Sequence, residues 1–150
     1  MVPCAPDIIF KTIEDMELTH PWSEIIIHHS LDPDVGIQEW NKIEAKGFHF
    51  GIVFNVHRWE YAEGISLRMD GAHCKGHDAT AIGIVLVGNY NLSEVAHQQY
   101  FLLGCLCRAL MRKFNIPIDK IHAHDKFEKI ECPGSKFDLD KFKKEYVIQL

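Results

Sequence analysis

The chain has 150 residues, of which 47% are hydrophobic and 25% are charged, an ordinary composition for a soluble globular protein. This length suits one domain, and we expect it to span residues 1–150, with an N-terminal extension (residues 1–23) and a core (residues 24–140). The net charge of −5 excludes the basic surface that duplex nucleic acid requires. No run approaches the roughly 20 apolar residues that cross a bilayer, so a membrane is not expected as a partner either.

The first half of the chain alternates between predicted strands and helices. The apolar residues 8–10 predict a short strand, and the continuous run at residues 23–28 predicts a strand buried on both faces. Helical spacing predicts a helix over residues 36–46, with Gly47 as its C-cap. Residues 48–56 and 58–63 predict a hairpin.

The second half continues this alternation after a loop rich in glycine and histidine. We predict the loop at residues 64–79, a buried strand at 81–87, a long helix at 94–114 with Ser93 as N-cap, a strand at 118–122 and a helix at 138–146. Helices interleaved with apolar strands and one hairpin predict an α/β fold of three layers, a central mixed β-sheet flanked by helices.

Two distant stretches carry the residue types of a metal site. His28 lies at the end of the strand predicted at 23–28, and His124 lies eight residues before Cys132. Two imidazoles and one thiolate form a common three-ligand set for a catalytic zinc ion, which leaves its fourth position to water. The sequence therefore predicts a zinc hydrolase.

The remaining histidines and cysteines allow other interpretations. Five cysteines is an odd number, so a disulfide framework is not expected. The loop residues His73, Cys74 and His77 could form a separate metal cluster, or the loop could border a substrate groove. His29 should point to the sheet face opposite His28, because side chains alternate along a strand.

Several fragments together resemble a known family. They are Ile25-Ile-Ile-His-His-Ser30, Gly47-Phe-His-Phe50, Gly71-Ala-His73, Ala81-Ile-Gly-Ile84 with Gly88-Asn89, and His124 through Cys132-Pro-Gly134. In this order they resemble the zinc-dependent N-acetylmuramoyl-L-alanine amidases, the superfamily that includes phage endolysins and the peptidoglycan recognition proteins. The resemblance runs from about residue 24 to residue 140.

The resemblance implies a site and a reaction. It implies Zn²⁺ ligated by His28, His124 and Cys132, and substrate binding by His73, His49 and Asn89. Zinc-activated water would attack the amide that joins N-acetylmuramate to L-alanine. The implied partners are peptidoglycan or muropeptide fragments, and we expect a monomer.

Two positions depart from the family pattern. Phe48 stands where many family enzymes have tyrosine, and Ile130 stands where active enzymes often have lysine. Lys129, one position earlier, is the candidate to replace that lysine, so Lys129 and Phe48 are the predicted catalytic positions. These departures leave two hypotheses open: a zinc amidase, or a zinc-containing module that recognises muropeptides without cutting them.

The N-terminal residues bear on location. They contain no basic segment ahead of an apolar run, so a secretory signal is not expected. We expect the protein to be cytoplasmic as synthesised and to reach a cell wall by lysis or by a dedicated export route.

Overall fold

A five-stranded mixed sheet forms the centre of the protein. The computed structural model describes residues 5–17, 20–32, 34–43 and 46–148. The strands are β1 (Glu24–His29), β2 (Phe50–Asn55), β3 (Arg58–Glu63), β4 (Ala81–Leu86) and β5 (Ile121–Ala123). They lie in the order β3-β2-β4-β1-β5, and all neighbouring pairs are parallel except the β2–β3 hairpin.

Helices cover both faces of this sheet, which confirms the predicted three-layer α/β fold. The helices are α1 (Ala5–Glu14), α2 (Ile37–Ile43), α3 (His97–Phe114) and α4 (Leu139–Phe142), and α4 continues into a π-helical segment (Lys143–Ile148). Within the part of the chain that the structure describes, no helix is long and apolar enough to span a membrane.

The two faces of β1 meet different partners because its side chains alternate. Ile25 and Ile27 join the main core, which α1 and α3 cover. Ile26 points the other way, packs with Cys74 and Ala81, and shares this face with His28. The loops that follow β3 and β5 cover this second face beside α2, so the sheet presents His28 to these loops.

The structure corrects the prediction for the N-terminal segment. Residues 8–10, predicted as a strand, lie within helix α1. Ile9 and Ile13, four residues apart, are fully buried in the main core. A run of β-branched residues resembles a strand locally, but the helical spacing of these two isoleucines lets them pack against α3.

Several predicted boundaries also change. Helix α3 begins at His97, after Ala96, and no side chain caps it. Ser93, the predicted N-cap, lies in a turn in which the Asn89 carbonyl oxygen accepts the N–H groups of Leu92 and Ser93. Residues 118–120 form a 3₁₀ turn before β5. Residues 48 and 49 precede β2, and the last helix starts with Asp138 as its N-cap. The helix predicted at 36–46 is α2, and residues 44 and 45 near its predicted end lie outside the described residues.

Candidate metal and active site

Three side chains distant in sequence come together where β1 and β5 end. The Cys132 Sγ lies 3.8 Å from the His28 Nδ1, and the His28 and His124 ring centroids are 4.4 Å apart. One ligand atom from each of the three residues lies within 4.8 Å of the others. A tetrahedral zinc ion requires sulfur and nitrogen ligands about 3.5 Å apart, so small side-chain movements would complete the site.

Hydrogen bonds fix which nitrogen of His28 is available to a metal. His73 Nε2 lies 2.9 Å from the Ala81 carbonyl oxygen, which can only accept, so Nε2 carries the proton. His73 Nδ1 therefore accepts from His28 Nε2, at 2.8 Å. This relay leaves the lone pair of His28 on Nδ1, the atom that faces the sulfur. Burial, together with the His73 and His124 imidazoles, keeps the pKa of His28 well below 6.5, so the ring stays neutral.

His124 has the same arrangement with a carboxylate. Its Nε2–H donates a hydrogen bond to a Glu128 carboxylate oxygen 2.6 Å away. Its Nδ1 is buried and has no hydrogen-bond partner among the described residues. A buried nitrogen with a free lone pair is costly unless something binds it. The donor set therefore fits Zn²⁺, with Glu128 holding His124 from behind.

Cys132 is held by the strand that it faces. The backbone N–H of His29 points at the Cys132 Sγ (3.4 Å), and His29 Nε2 donates to the Glu131 carbonyl oxygen (2.8 Å). Burial raises the pKa of the Cys132 thiol to about 12 in the absence of a cation. A bound Zn²⁺ reverses that preference because it deprotonates the thiol on binding. His29, as expected from strand alternation, positions the cysteine and is not one of the three grouped side chains.

Two glycines leave the space that the His73 ring occupies beside His28. A Cβ on Gly83 would lie 2.6 Å from Cγ of His73, and one on Gly71 would lie 2.9 Å from Nε2 of the same ring. Real Cβ contacts are not this short, so these positions require glycine for His73 to reach His28. The His73 ring is buried and both of its nitrogens are bonded inside the protein, and its predicted substrate-binding role stays a prediction.

Replacing His73 with leucine is expected to weaken Zn²⁺ binding by about 10–100-fold. The change leaves the buried His28 Nε2–H without an acceptor and frees the ring to turn. Competition with a chromophoric chelator measures the affinity. His57→Ala, at the exposed hairpin tip, is the matched histidine control. Equal affinity in both variants would contradict the relay.

His49 has a structural role as well. Its Nε2 donates to the Met69 carbonyl oxygen (2.9 Å), and its Nδ1 accepts the Gly83 N–H (3.1 Å). The side chain is 1% exposed, and its predicted contact with substrate stays a prediction. Burial lowers its pKa to about 4. Protonation of Nδ1 would place two N–H donors against each other.

His49 should make the metal-free protein sensitive to acid. Its pKa falls from 6.5 in the unfolded chain to about 4 in the fold, so its contribution is complete above pH 6.5 and is lost as the pH falls. At pH 4 the loss is roughly 3 kcal/mol in the free energy of unfolding. Urea unfolding at several pH values should show a shallower pH dependence for His49→Gln than for the parent. Parallel curves would contradict this role.

The structure also gives the surroundings of the other residues that the sequence analysis singled out. The Phe48 ring lies 5.1 Å from the His28 ring and forms an apolar wall that offers no hydrogen-bond donor. Lys129 is exposed, and in the described part of the chain no hydrogen bond or ion pair links it to the site. The Asn89 carbonyl and side-chain oxygens accept N–H groups within its own turn. Ile130 is 44% exposed.

The sequence did not predict the contact of Glu128 with His124 or the contacts of the glycine- and histidine-rich loop. Glu128 was not predicted, because a glutamate four residues after a histidine in a loop follows no pattern. The possible cluster of His73, Cys74 and His77 does not form, since His73 bonds to His28 and Ala81 while His77 Nδ1 bonds to Glu24 (3.0 Å). Cys74 instead lies with His124 and Glu128.

A family model and several solved structures match this chain. Residues 18–135 match the family model described as N-acetylmuramoyl-L-alanine amidase, which covers most of the chain. The chain therefore belongs to the N-acetylmuramoyl-L-alanine amidase family, as the sequence fragments predict. No curated protein sequence matches it significantly.

Solved structures include both enzymes and recognition proteins. The endolysin amidase LysCS from Clostridium intestinale is 28% identical, with a TM-score of 0.70 over 87% of this chain and 88% of that one. Drosophila PGRP-LB is 21% identical, with a TM-score of 0.71 over 88% and 86%. The ectodomain complex of PGRP-LCa and PGRP-LCx, solved with tracheal cytotoxin bound, is 17% identical, with a TM-score of 0.67 over 89% and 90%. The last two likenesses concern the fold alone.

Proposed function

We propose that the protein hydrolyses the amide bond between N-acetylmuramate and L-alanine in peptidoglycan, using Zn²⁺ held by His28, His124 and Cys132. The observation that carries this proposal is the buried, unpartnered Nδ1 of His124 in a group with an imidazole and a thiol. Membership of the amidase family supports the substrate.

The chain's own residues prepare the ligand atoms for the ion. His73 and Glu128 hold the protons of His28 and His124 on Nε2 and leave both Nδ1 lone pairs free. Two neutral imidazoles and one thiolate give the site a net charge of about +1 with the ion. When bound, Zn²⁺ would lower the pKa of a water molecule to about 7 and polarise the amide carbonyl. Phe48 excludes water from one side of His28.

A second candidate function is recognition of muropeptides without cleavage. Phe48 offers no hydroxyl beside His28, and Ile130 offers no cation, so two groups that many relatives use to stabilise the oxyanion are missing. Losing one such donor typically costs about 10²–10³ in rate. The module would then retain Zn²⁺ as a structural ion in a binding groove.

An assay on purified peptidoglycan separates the two functions. The amidase proposal expects new L-alanine amino groups, loss of that release with a chelator, and its recovery with added Zn²⁺. Cys107→Ala, a buried cysteine of α3 outside the site, is the control and should behave as the parent. Sedimentation with the wall material without new amino groups would refute the hydrolase and support the recognition module.

We also propose that residues 1–150 act as a monomeric single domain. Ile9 and Ile13 of α1 belong to the same core cluster as Leu103 of α3, so the N-terminal segment is part of the folded unit. Sedimentation equilibrium tests the monomer, and a concentration-dependent mass would contradict it.

A further inference from the structure

We propose that Cys74, His124 and Glu128 form a second Zn²⁺ position behind the first one. One ligand atom from each of these residues lies within 4.8 Å of the other two. Cys74 and Glu128 have no ligand role in the proposed amidase site, and only His124 is shared between the two sets.

The Cys74 thiol is held in place by its loop. The Asp78 carboxylate oxygen accepts the backbone N–H of His73 (2.8 Å) and of Cys74 (2.9 Å), which fixes the turn. The side chain is 2% exposed and packs against Ile26 and Ala81. Among the described residues no hydrogen bond reaches its sulfur, so the sulfur lone pairs remain available.

Glu128 joins the two loops that supply the other ligands. One of its carboxylate oxygens accepts the Lys75 N–H (3.3 Å), and the other accepts from His124 Nε2 (2.6 Å). The carboxylate is thus held between the Cys74 loop and the His124 turn. Its side chain is 33% exposed, which gives a cation a route from solvent.

The chemistry of the three ligands suits zinc. A thiolate, a carboxylate and a neutral imidazole together carry two negative charges, which balance Zn²⁺, and the fourth position remains for water. Zinc ligand atoms stand about 3.5 Å apart, so a separation of up to 4.8 Å requires movements of only about 1 Å. Asp78 and Glu24 add negative charge around Cys74, which favours a cation there.

Sharing His124 makes the two positions alternatives for one ion. The first position uses Nδ1 of His124, and the second uses Nε2, the nitrogen beside Glu128, so an ion there replaces the hydrogen bond to Glu128 and the ring proton moves to Nδ1. An imidazole that keeps one proton has one free lone pair, so it binds one metal at a time. The first position has two imidazoles and is better shielded, so it should be filled first. The second position should be filled when the first one is disabled.

Metal titration of Cys132→Ala, of Cys74→Ala and of Cys74→Ala/Cys132→Ala tests this inference. Co²⁺ reports on the ligands because a bound thiolate gives a charge-transfer band. We expect Cys132→Ala to bind Zn²⁺ and Co²⁺ at one per chain, at least 100-fold more weakly than the parent, and to keep that band. The double variant should lose the band, and Cys107→Ala/Cys132→Ala, the matched control, should keep it.

The possible outcomes distinguish this inference from the proposed function, which shares His124 with it. If Cys132→Ala and the double variant bind equally weakly and neither shows the band, the second position does not exist and the first one stands. If Cys132→Ala binds as tightly as the parent and Cys74→Ala does not, the first position is wrong and the second stands. Cys74→Ser and circular dichroism of every variant show whether a loss of binding reflects unfolding.

Discussion

Replacing Cys132 with alanine is expected to lower the rate of amide hydrolysis by at least about 10³-fold, even with excess Zn²⁺. The substitution removes the thiolate from the three grouped side chains, so no ion is held at that position by all three. Without a correctly placed Lewis acid, the pKa of the attacking water rises from about 7 back towards that of bulk water. Release of amino groups from purified peptidoglycan measures the rate.

The controls for this variant separate chemistry from folding. Cys132 is partly exposed on a loop, so the thermal unfolding midpoint of the metal-free variant should stay close to that of the metal-free parent. Cys107→Ala removes a thiol from α3 and should leave the rate unchanged. Hydrolysis by Cys132→Ala at a rate within tenfold of the parent would show that the sulfur does not hold the catalytic ion.

Replacing Phe48 with tyrosine is expected to raise kcat by about 10²-fold. The Phe48 ring lies 5.1 Å from the His28 ring, so a hydroxyl added to it would extend beside the metal ligands. There it could donate a hydrogen bond to the oxyanion that forms on the amide carbonyl. Because the interaction arises in the transition state, kcat should rise while KM changes little.

Phe48→Leu is the matched control for this gain. It keeps an apolar side chain without a donor, so it should not exceed the parent rate. A Phe48→Tyr enzyme no faster than the parent would show that the missing hydroxyl does not limit the rate. Zn²⁺ content should be measured for both variants, since Phe48 contacts a ligand.

The sequence predicted those parts of the fold in which local pattern and packing agree. The apolar run at β1 was readable because a central parallel strand is buried on both faces. Helix α1 was missed because residues 8–10 are β-branched and aromatic, and only the contact with α3 selects the helical spacing of Ile9 and Ile13. The start of α3 was predicted too early because the Ser93 N–H bonds to the Asn89 carbonyl oxygen, so Ser93 belongs to a turn and does not cap the helix.

The candidate site was likewise predicted only in part. The grouping of His28, His124 and Cys132 was predicted because a family resemblance preserves their spacing. The supporting contacts were not found, since the pairing of His28 with His73 depends on the space left by Gly83, which no local pattern reveals. Glu128 reaches His124 because its backbone N–H bonds to the His124 carbonyl oxygen (3.3 Å) and turns the chain back.

X-ray absorption at the zinc edge, on protein loaded with one equivalent of Zn²⁺, tests the central claim most directly. Ligation by His28, His124 and Cys132 predicts one sulfur at about 2.3 Å and two imidazole nitrogens at about 2.0–2.1 Å, with a light atom in the fourth position. A spectrum without sulfur, or with fewer than two imidazoles, would contradict the account.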